Sequence, residues 1–280
     1  MWAHDPIQAR RDEIHIWLTY LDEIDDNRLH VAYRALLSQQ ELDTESRFHF
    51  PADRRRYVVT RALVRSVLSR YVPMAPASWV FSHNAYGRPQ IANSSGAHLS
   101  FNISHTRNLI VLALTKRRAL GVDVENFRAR DVALEVAEQI LAPEEFMRLA
   151  ALPPGDRSKR FMEYWTFKES YIKARGMGLA IPLEGFWFTY PEDCVVEIAI
   201  DSSLNDDPGR WQFWQFRLRP QYLMAICAER SEVTSSLIIR EVIPGVAESV
   251  IVPDLLRASA DKFPTFEQRT AAGAVARRDV

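Results

Sequence analysis

Six consecutive apolar residues, Leu109-Ile110-Val111-Leu112-Ala113-Leu114, limit the folds open to this chain more than any other stretch. A strand alternates its side chains between two faces, so a run with no polar member needs cover on both. A Lys116-Arg117-Arg118 turn then leads into Leu120 to Glu125, and the pattern predicts an antiparallel pair of strands. Asp123 and Glu125, two residues apart, point to one side of the second strand. They form a carboxylate pair at the rim of a buried sheet.

The stretch Trp165-Thr166-Phe167-Lys168-Glu169-Ser170-Tyr171-Ile172-Lys173 reads as a helix on which Glu169 and Lys173 stand one turn apart and share a face. Three carboxylates meeting at one point repel one another unless a cation sits among them or their pKa values rise. Oxygen ligands completed by water and substrate phosphate suit Mg²⁺. The plainer alternative is a solvated strand edge beside an ordinary surface helix pair worth about 0.2–0.5 kcal/mol. Spacing alone leaves both open.

Gly121 to Glu125 followed by Trp165 to Lys173 resembles the two signature motifs of the 4′-phosphopantetheinyl transferases of the long, surfactin-synthetase-activating type. Tyr86-Gly87-Arg88-Pro89 and then Phe101-Asn102-Ile103-Ser104-His105 match the upstream motifs in order, so the resemblance runs from about Arg47 to Ala228. It implies an α+β fold of two pseudo-symmetric subdomains, each a long helix on a small, mainly antiparallel sheet, with the active site between them. The expected divisions are 1–125, 126–245 and a weakly structured tail, 246–280.

The same resemblance implies transfer of 4′-phosphopantetheine from coenzyme A to a serine of an apo acyl or peptidyl carrier protein, with release of 3′,5′-ADP. Mg²⁺ is expected on Asp123, Glu125 and Glu169, with Lys173, Arg88 and His105 on the phosphates and Ser104 adding a hydroxyl or backbone contact. Glu169, directly or through a metal-bound water, is the expected base, and Lys168, facing the phosphates or the carrier, ranks below Lys173. Arg47 and Arg56 are the expected holders of the 3′-phosphate. Here the chain departs from the pattern, because the basic pair of the surfactin type falls near Glu41 and Thr44.

With 35 basic and 36 acidic residues, the net charge of −1 gives no global attraction to nucleic acid or to an anionic membrane. No apolar run reaches membrane-spanning length and the first residues lack a signal-peptide core, which predicts a cytoplasmic protein. A monomer is expected if the two halves share one site. Cys194 and Cys227 are expected as buried free thiols, because two distant cysteines in apolar runs suit neither a disulfide framework nor zinc.

In chain order, Glu13 to Thr19 predicts a strand with His15 on the solvated face. A helix follows over 25–37, with a pause over 38–43. A long helix from Pro51 ends before Pro73 and carries an arginine-rich face suited to phosphate. A hairpin spans Asn84 to Gly87, helical periodicity returns over 127–152, and the motif helix starts at Ser158 and ends at Gly176, with Trp165 read as core. Strands over 186–228 read as a meander, and the last ten residues as a frayed tail. No glycine pattern of a nucleophile elbow surrounds any serine, which excludes that class of hydrolase. Two other classes remain: a coenzyme A or carrier-binding module without chemistry, and an unrelated Mg²⁺-dependent phosphohydrolase.

Overall fold

β1 (Glu13–Tyr20) is buried along its whole length. The rest of the first half, in a computed structural model that describes residues 6–24, 26–127, 132–260, 265–269 and 275–278, is built around it. Three helices follow: α1 (Asn27–Arg34), α2 (Gln39–Ser46) and α3 (Pro51–Leu68). A hairpin of β2 (Phe81–His83) and β3 (Pro89–Ile91) precedes β4 (Leu99–His105), β5 (Leu109–Lys116) and β6 (Leu120–Asn126). Asp25, the first residue of the expected helix over 25–37, lies outside the described residues.

The second half holds α4 (Leu134–Ile140), α5 (Pro143–Ala150), α6 (Pro154–Arg175), β7 (Phe186–Thr189), β8 (Val195–Ile200), β9 (Trp211–Leu218) and β10 (Tyr222–Glu229). Five more strands close the chain: β11 (Ser236–Ile243), β12 (Ala247–Ile251), β13 (Asp254–Ser259), β14 (Thr265–Arg269) and β15 (Val275–Arg278). The first sheet has the order β15-β14-β11-β1-β5-β4, with β12 also paired to β11, and the second has β6-β10-β9-β13-β8-β7. The fold is α+β.

Three apolar layers explain the unbroken run in β5. Leu109, Val111 and Ala113 face Val122, Trp214 and Met224 of the other sheet, while Ile110, Leu112 and Leu114 pack with Val58, Leu63 and Val67 of α3. On the far side, α6 covers the second sheet through Phe167 and Tyr171, packed against Phe213 and Ala225. Each long helix therefore covers one sheet, and the sheets pack on each other.

Several expectations are corrected by this arrangement. β5 and β6 do not pair: β5 joins β1 and β4, whereas β6 pairs with β10 in the other sheet. Arg117, at φ 56°, turns the chain from one sheet into the next. A hairpin and a sheet-to-sheet turn share one sequence pattern, so alternation could not separate them. The meander is likewise interrupted, since β13 inserts between β8 and β9.

The segment expected as a weakly structured tail supplies β12 and β13, and β11 just before it runs parallel to β1. Its exposed half-patterns hid edge and crossover strands. Of the last ten residues, 275–278 form β15, and 271–274 and 279–280 lie outside the described residues. The pause over 38–43 is instead the start of α2, where the Ser38 hydroxyl accepts from the Glu41 N–H and the Glu41 carboxylate accepts from the Ser38 N–H. α6 begins at Pro154, four residues before the expected Ser158, because proline fits the first helical position. Part of the periodicity over 127–152, residues 128–131, lies outside the described residues.

His15 is buried, not solvated: its Nε2 lies 3.1 Å from the Glu13 carboxylate and its Nδ1 2.6 Å from the Tyr71 hydroxyl. A strand central in its sheet and covered on both faces leaves no solvated side. Cys227 is buried as expected, and Cys194 is exposed in the loop before β8.

Candidate active site

The edge of the first sheet, β4, meets the edge of the second, β6, through side chains rather than a backbone ladder. The Asn102 side-chain oxygen accepts from the Val122 N–H at 2.9 Å, and the Ser104 hydroxyl accepts from the Val124 N–H at 3.3 Å. α6 lies directly on β6 at Gly121. A methyl group built there would stand 2.0 Å from the Ser170 carbonyl oxygen and 2.4 Å from the Ala174 nitrogen. The glycine is required for close approach and not for its dihedral angles. Gly121→Ala is therefore expected to push α6 off β6, cost more than about 1–3 kcal/mol of overpacking, and lose most turnover. Thermal unfolding and a turnover assay on the same preparation check both effects.

That contact brings the motif residues together. The Lys173 ammonium donates to Asp123 Oδ1 at 2.6 Å and to the Ser104 hydroxyl at 3.0 Å, while the Ser104 hydroxyl itself donates to Asp123 Oδ1 at 2.9 Å. Asp123 is buried, and its Oδ2 has no hydrogen-bond partner. Glu169 is half-buried, and its pKa is raised by desolvation first and then by the charges of Asp123 and Glu125, against the pull of Lys173. Glu125 is half-buried at the end of β6. His105 stands exposed at the end of β4, where partial desolvation and then the charges of Arg56 and Lys173 lower its pKa, against the pull of Asp123. Six motif residues and Arg56 thus share one electrostatic neighbourhood.

Acidic oxygen donors, one of them an orphaned buried oxygen, have the chemistry of a hard-cation site. Among the described residues, however, no group of three or more His, Cys, Asp or Glu side chains is arranged to hold a metal ion. The Lys173 ammonium takes the Asp123 oxygen that a cation would share.

Beside this cluster opens a cleft of about 460 Å³, with Tyr86, Pro89, Ile103, Trp165, Glu169 and Lys173 in its walls. Trp165, expected as core, is half-buried, stacks on Phe161 at 6.3 Å and lines this cleft. Aromatic spacing on a helix could not tell a core face from a cleft wall. Arg88 lines the cleft too, yet its guanidinium donates to the carbonyls of Lys173, Ala174 and Leu120 at 2.9, 3.0 and 2.9 Å. Its fork faces backbone oxygens rather than the open space.

The arginine-rich helix divides in the same way. Arg61 and Arg65 pair with Glu41, Arg65 also donates to three carbonyls, Arg55 caps Leu21 and Ile24, and Arg70 pairs with Glu248. Burial would raise the Glu41 pKa, but Arg61, the Ser38 N–H and Arg65 together lower it. Glu41 is thus a structural anion at the point where the chain departs from the surfactin-type pattern. Arg56 pairs with Asp53 at 2.7 Å and reaches the site as a charge near His105. Arg47 caps the C-terminus of α2, exposed, and no contact among the described residues joins it to the cluster.

Lys168 is removed from the site altogether. It is fully buried, pairs with Glu145 at 2.8 Å, and donates to the Leu183 and Phe186 carbonyls at 2.8 and 2.7 Å.

Both halves of the chain match known proteins in sequence. Residues 119–227 match the 4′-phosphopantetheinyl transferase superfamily and residues 25–117 match 4′-phosphopantetheinyl transferase, N-terminal. The chain is 35% identical to the 4′-phosphopantetheinyl transferase HetI of Nostoc sp. over 170 residues, 60% of this chain and 71% of that protein. It is 29% identical to the 4′-phosphopantetheinyl transferase Sfp of Bacillus subtilis over 213 residues, covering 76% and 91% of the two. The 4′-phosphopantetheinyl transferase ffp of Bacillus subtilis is 30% identical over 198 residues, 71% of this chain and 84% of that protein.

Proposed function

The chain belongs to the 4′-phosphopantetheinyl transferase superfamily, and on that premise we propose that it moves the phosphopantetheinyl group of coenzyme A onto the serine hydroxyl of an apo carrier protein at the junction of β4, β6 and α6. The observation that carries this reading is the Ser104–Asp123–Lys173 triangle, joined to the cleft through Lys173 and Glu169 in its wall.

Phosphoryl transfer is governed by positioning and by neutralising charge on the transferred and leaving phosphates. Mg²⁺ held by Asp123, Glu125 and Glu169 would supply much of that neutralisation, and the buried, unpartnered Asp123 Oδ2 fits such a cation. The Lys173 ammonium, fixed by two oxygens, presents a positive charge at the cleft wall. His105, with a lowered pKa, is held as a neutral N–H donor for the pyrophosphate. Ser104 orients Asp123 rather than reaching substrate with its hydroxyl, whose proton already goes to Asp123. Glu169, directly or through a metal-bound water, is the proposed base for the carrier hydroxyl, a role typically worth about 10²–10⁴-fold. Arg56 and Arg47 are the proposed 3′-phosphate groups.

No helix among the described residues is long and apolar enough to cross a membrane. We place the reaction in the cytoplasm, where coenzyme A and apo carriers meet, and assign a monomer because both halves contribute to one site.

Mass spectrometry of an apo carrier domain incubated with the protein, coenzyme A and Mg²⁺, beside a chelator control, tests the reading. The expected result is a metal-dependent gain of one phosphopantetheinyl group with release of 3′,5′-ADP. Binding of coenzyme A with no gain on any carrier class would instead identify a non-catalytic binding module, and release without carrier dependence a phosphohydrolase.

A further inference from the structure

α6 ends in carbonyls that no later turn of helix can satisfy. The turn between β2 and β3 satisfies them. Arg88 Nη1 donates to the Lys173 and Ala174 carbonyls at 2.9 and 3.0 Å, and the Asn84 side-chain nitrogen donates to the Gly176 carbonyl at 2.7 Å. The second fork of Arg88 reaches the Leu120 carbonyl at 2.9 Å, the residue before Gly121. One planar group therefore ties the end of α6 to the start of β6, the two elements that carry Lys173 and Asp123. A cation at a helix C-terminus also opposes the helix dipole.

The turn is itself prepared for this grip. The Asn84 side-chain oxygen accepts from the Tyr86 and Arg88 N–H groups, both at 2.9 Å, so the amide that holds Gly176 also sets the loop carrying Arg88. Gly176 has φ +68°, and a Cβ there would stand 3.1 Å from Arg88 Cδ and Nη1. The glycine thus ends the helix and leaves room for the arginine.

We infer that Asn84 and Arg88 form a latch, contributed by the first half of the chain, which positions Lys173 against Asp123 for the proposed transfer. Arg88 then serves turnover through the α6 backbone and not as a charge on coenzyme A. A misplacement of about 1 Å can cost a reaction about 10²-fold, which sets the size of the expected effect.

The inference rests on the transferase reading, so the wild-type protein is assayed first for carrier loading. Arg88→Lys keeps the charge but cannot reach three carbonyls at once. Its kcat is expected to fall about 10–10²-fold while the KM for coenzyme A stays within about threefold. Asn84→Asp keeps the acceptor that builds the turn but sets a charged oxygen against the Gly176 carbonyl in place of the donor, and it should lower kcat about 3–10-fold with a small drop in the thermal midpoint.

Amide hydrogen exchange over 170–178 gives a readout independent of activity, and both variants should speed exchange there without speeding it in α3. Wild-type kcat and wild-type exchange in both variants would overturn the latch. So would an Arg88→Lys protein with full kcat and a raised KM, which would make Arg88 a phosphate contact. If the wild-type protein loads no carrier, the transferase reading fails while the exchange measurement still decides the latch.

Discussion

Asp123→Ala is expected to lower carrier loading about 10²–10³-fold or more while the fold stays largely intact. Asp123 gathers the site: Lys173 and Ser104 both bond its Oδ1, its Oδ2 is left buried without a partner, and its charge raises the Glu169 pKa. Removing the carboxylate frees the Lys173 ammonium, takes away one of the oxygens proposed to hold Mg²⁺, and eases the repulsion that makes Glu169 basic. Loss of a single preorganised electrostatic group commonly costs a factor of this size. The buried carboxylate is repelled by Glu169, so its removal relieves a like-charge contact as it breaks the Lys173 pair, and the unfolding midpoint should move little. Asp123→Asn separates shape from charge and should be nearly as inactive. A fully active Asp123→Ala protein would remove the metal assignment.

Lys168→Ala should act on the opposite quantity, destabilising the protein by about 3–5 kcal/mol. Lys168 and Glu145 are both fully buried and 2.8 Å apart. Burial draws the Lys168 pKa down and pushes the Glu145 pKa up, while their attraction opposes both shifts. Two carbonyls and the Phe186 ring complete the surroundings of the ammonium, and the Ala142 and Phe188 N–H groups complete those of the carboxylate. Deleting the lysine leaves a buried carboxylate with no counter-charge. Lys168→Met combined with Glu145→Gln should recover part of the loss, because an apolar or neutral pair avoids the desolvation cost. Denaturant unfolding of the single and double variants measures this. An unchanged midpoint with weakened coenzyme A binding would return Lys168 to the active site.

Lys168 and Lys173 show what the sequence could and could not decide. Both lie in one nine-residue motif, and both are lysines on one helix. Helical spacing placed Lys173 beside Glu169, a local relation that 3.6 residues per turn already contains. Lys168 turned inward because α5, the turn at Leu183 and the first residue of β7 bring a carboxylate and two carbonyls to it, and those partners lie 15 to 23 residues away in the chain. Arg88 followed the same rule, for a motif arginine next to a phosphate site was legible but the carbonyls that claim its guanidinium were not.

By itself the sequence determined the family, the long helices, the double-faced burial of β5 and the identities of the acidic and basic residues at the site, because periodicity and short motifs are properties of neighbouring residues. Only the tertiary structure decided that β5 and β6 belong to different sheets, that β11 and β13 return to complete them, and that Gly121 lets α6 settle onto β6. Those outcomes depend on which surfaces meet after the chain has doubled back, and the pairing energy of two distant strands leaves no mark within either one.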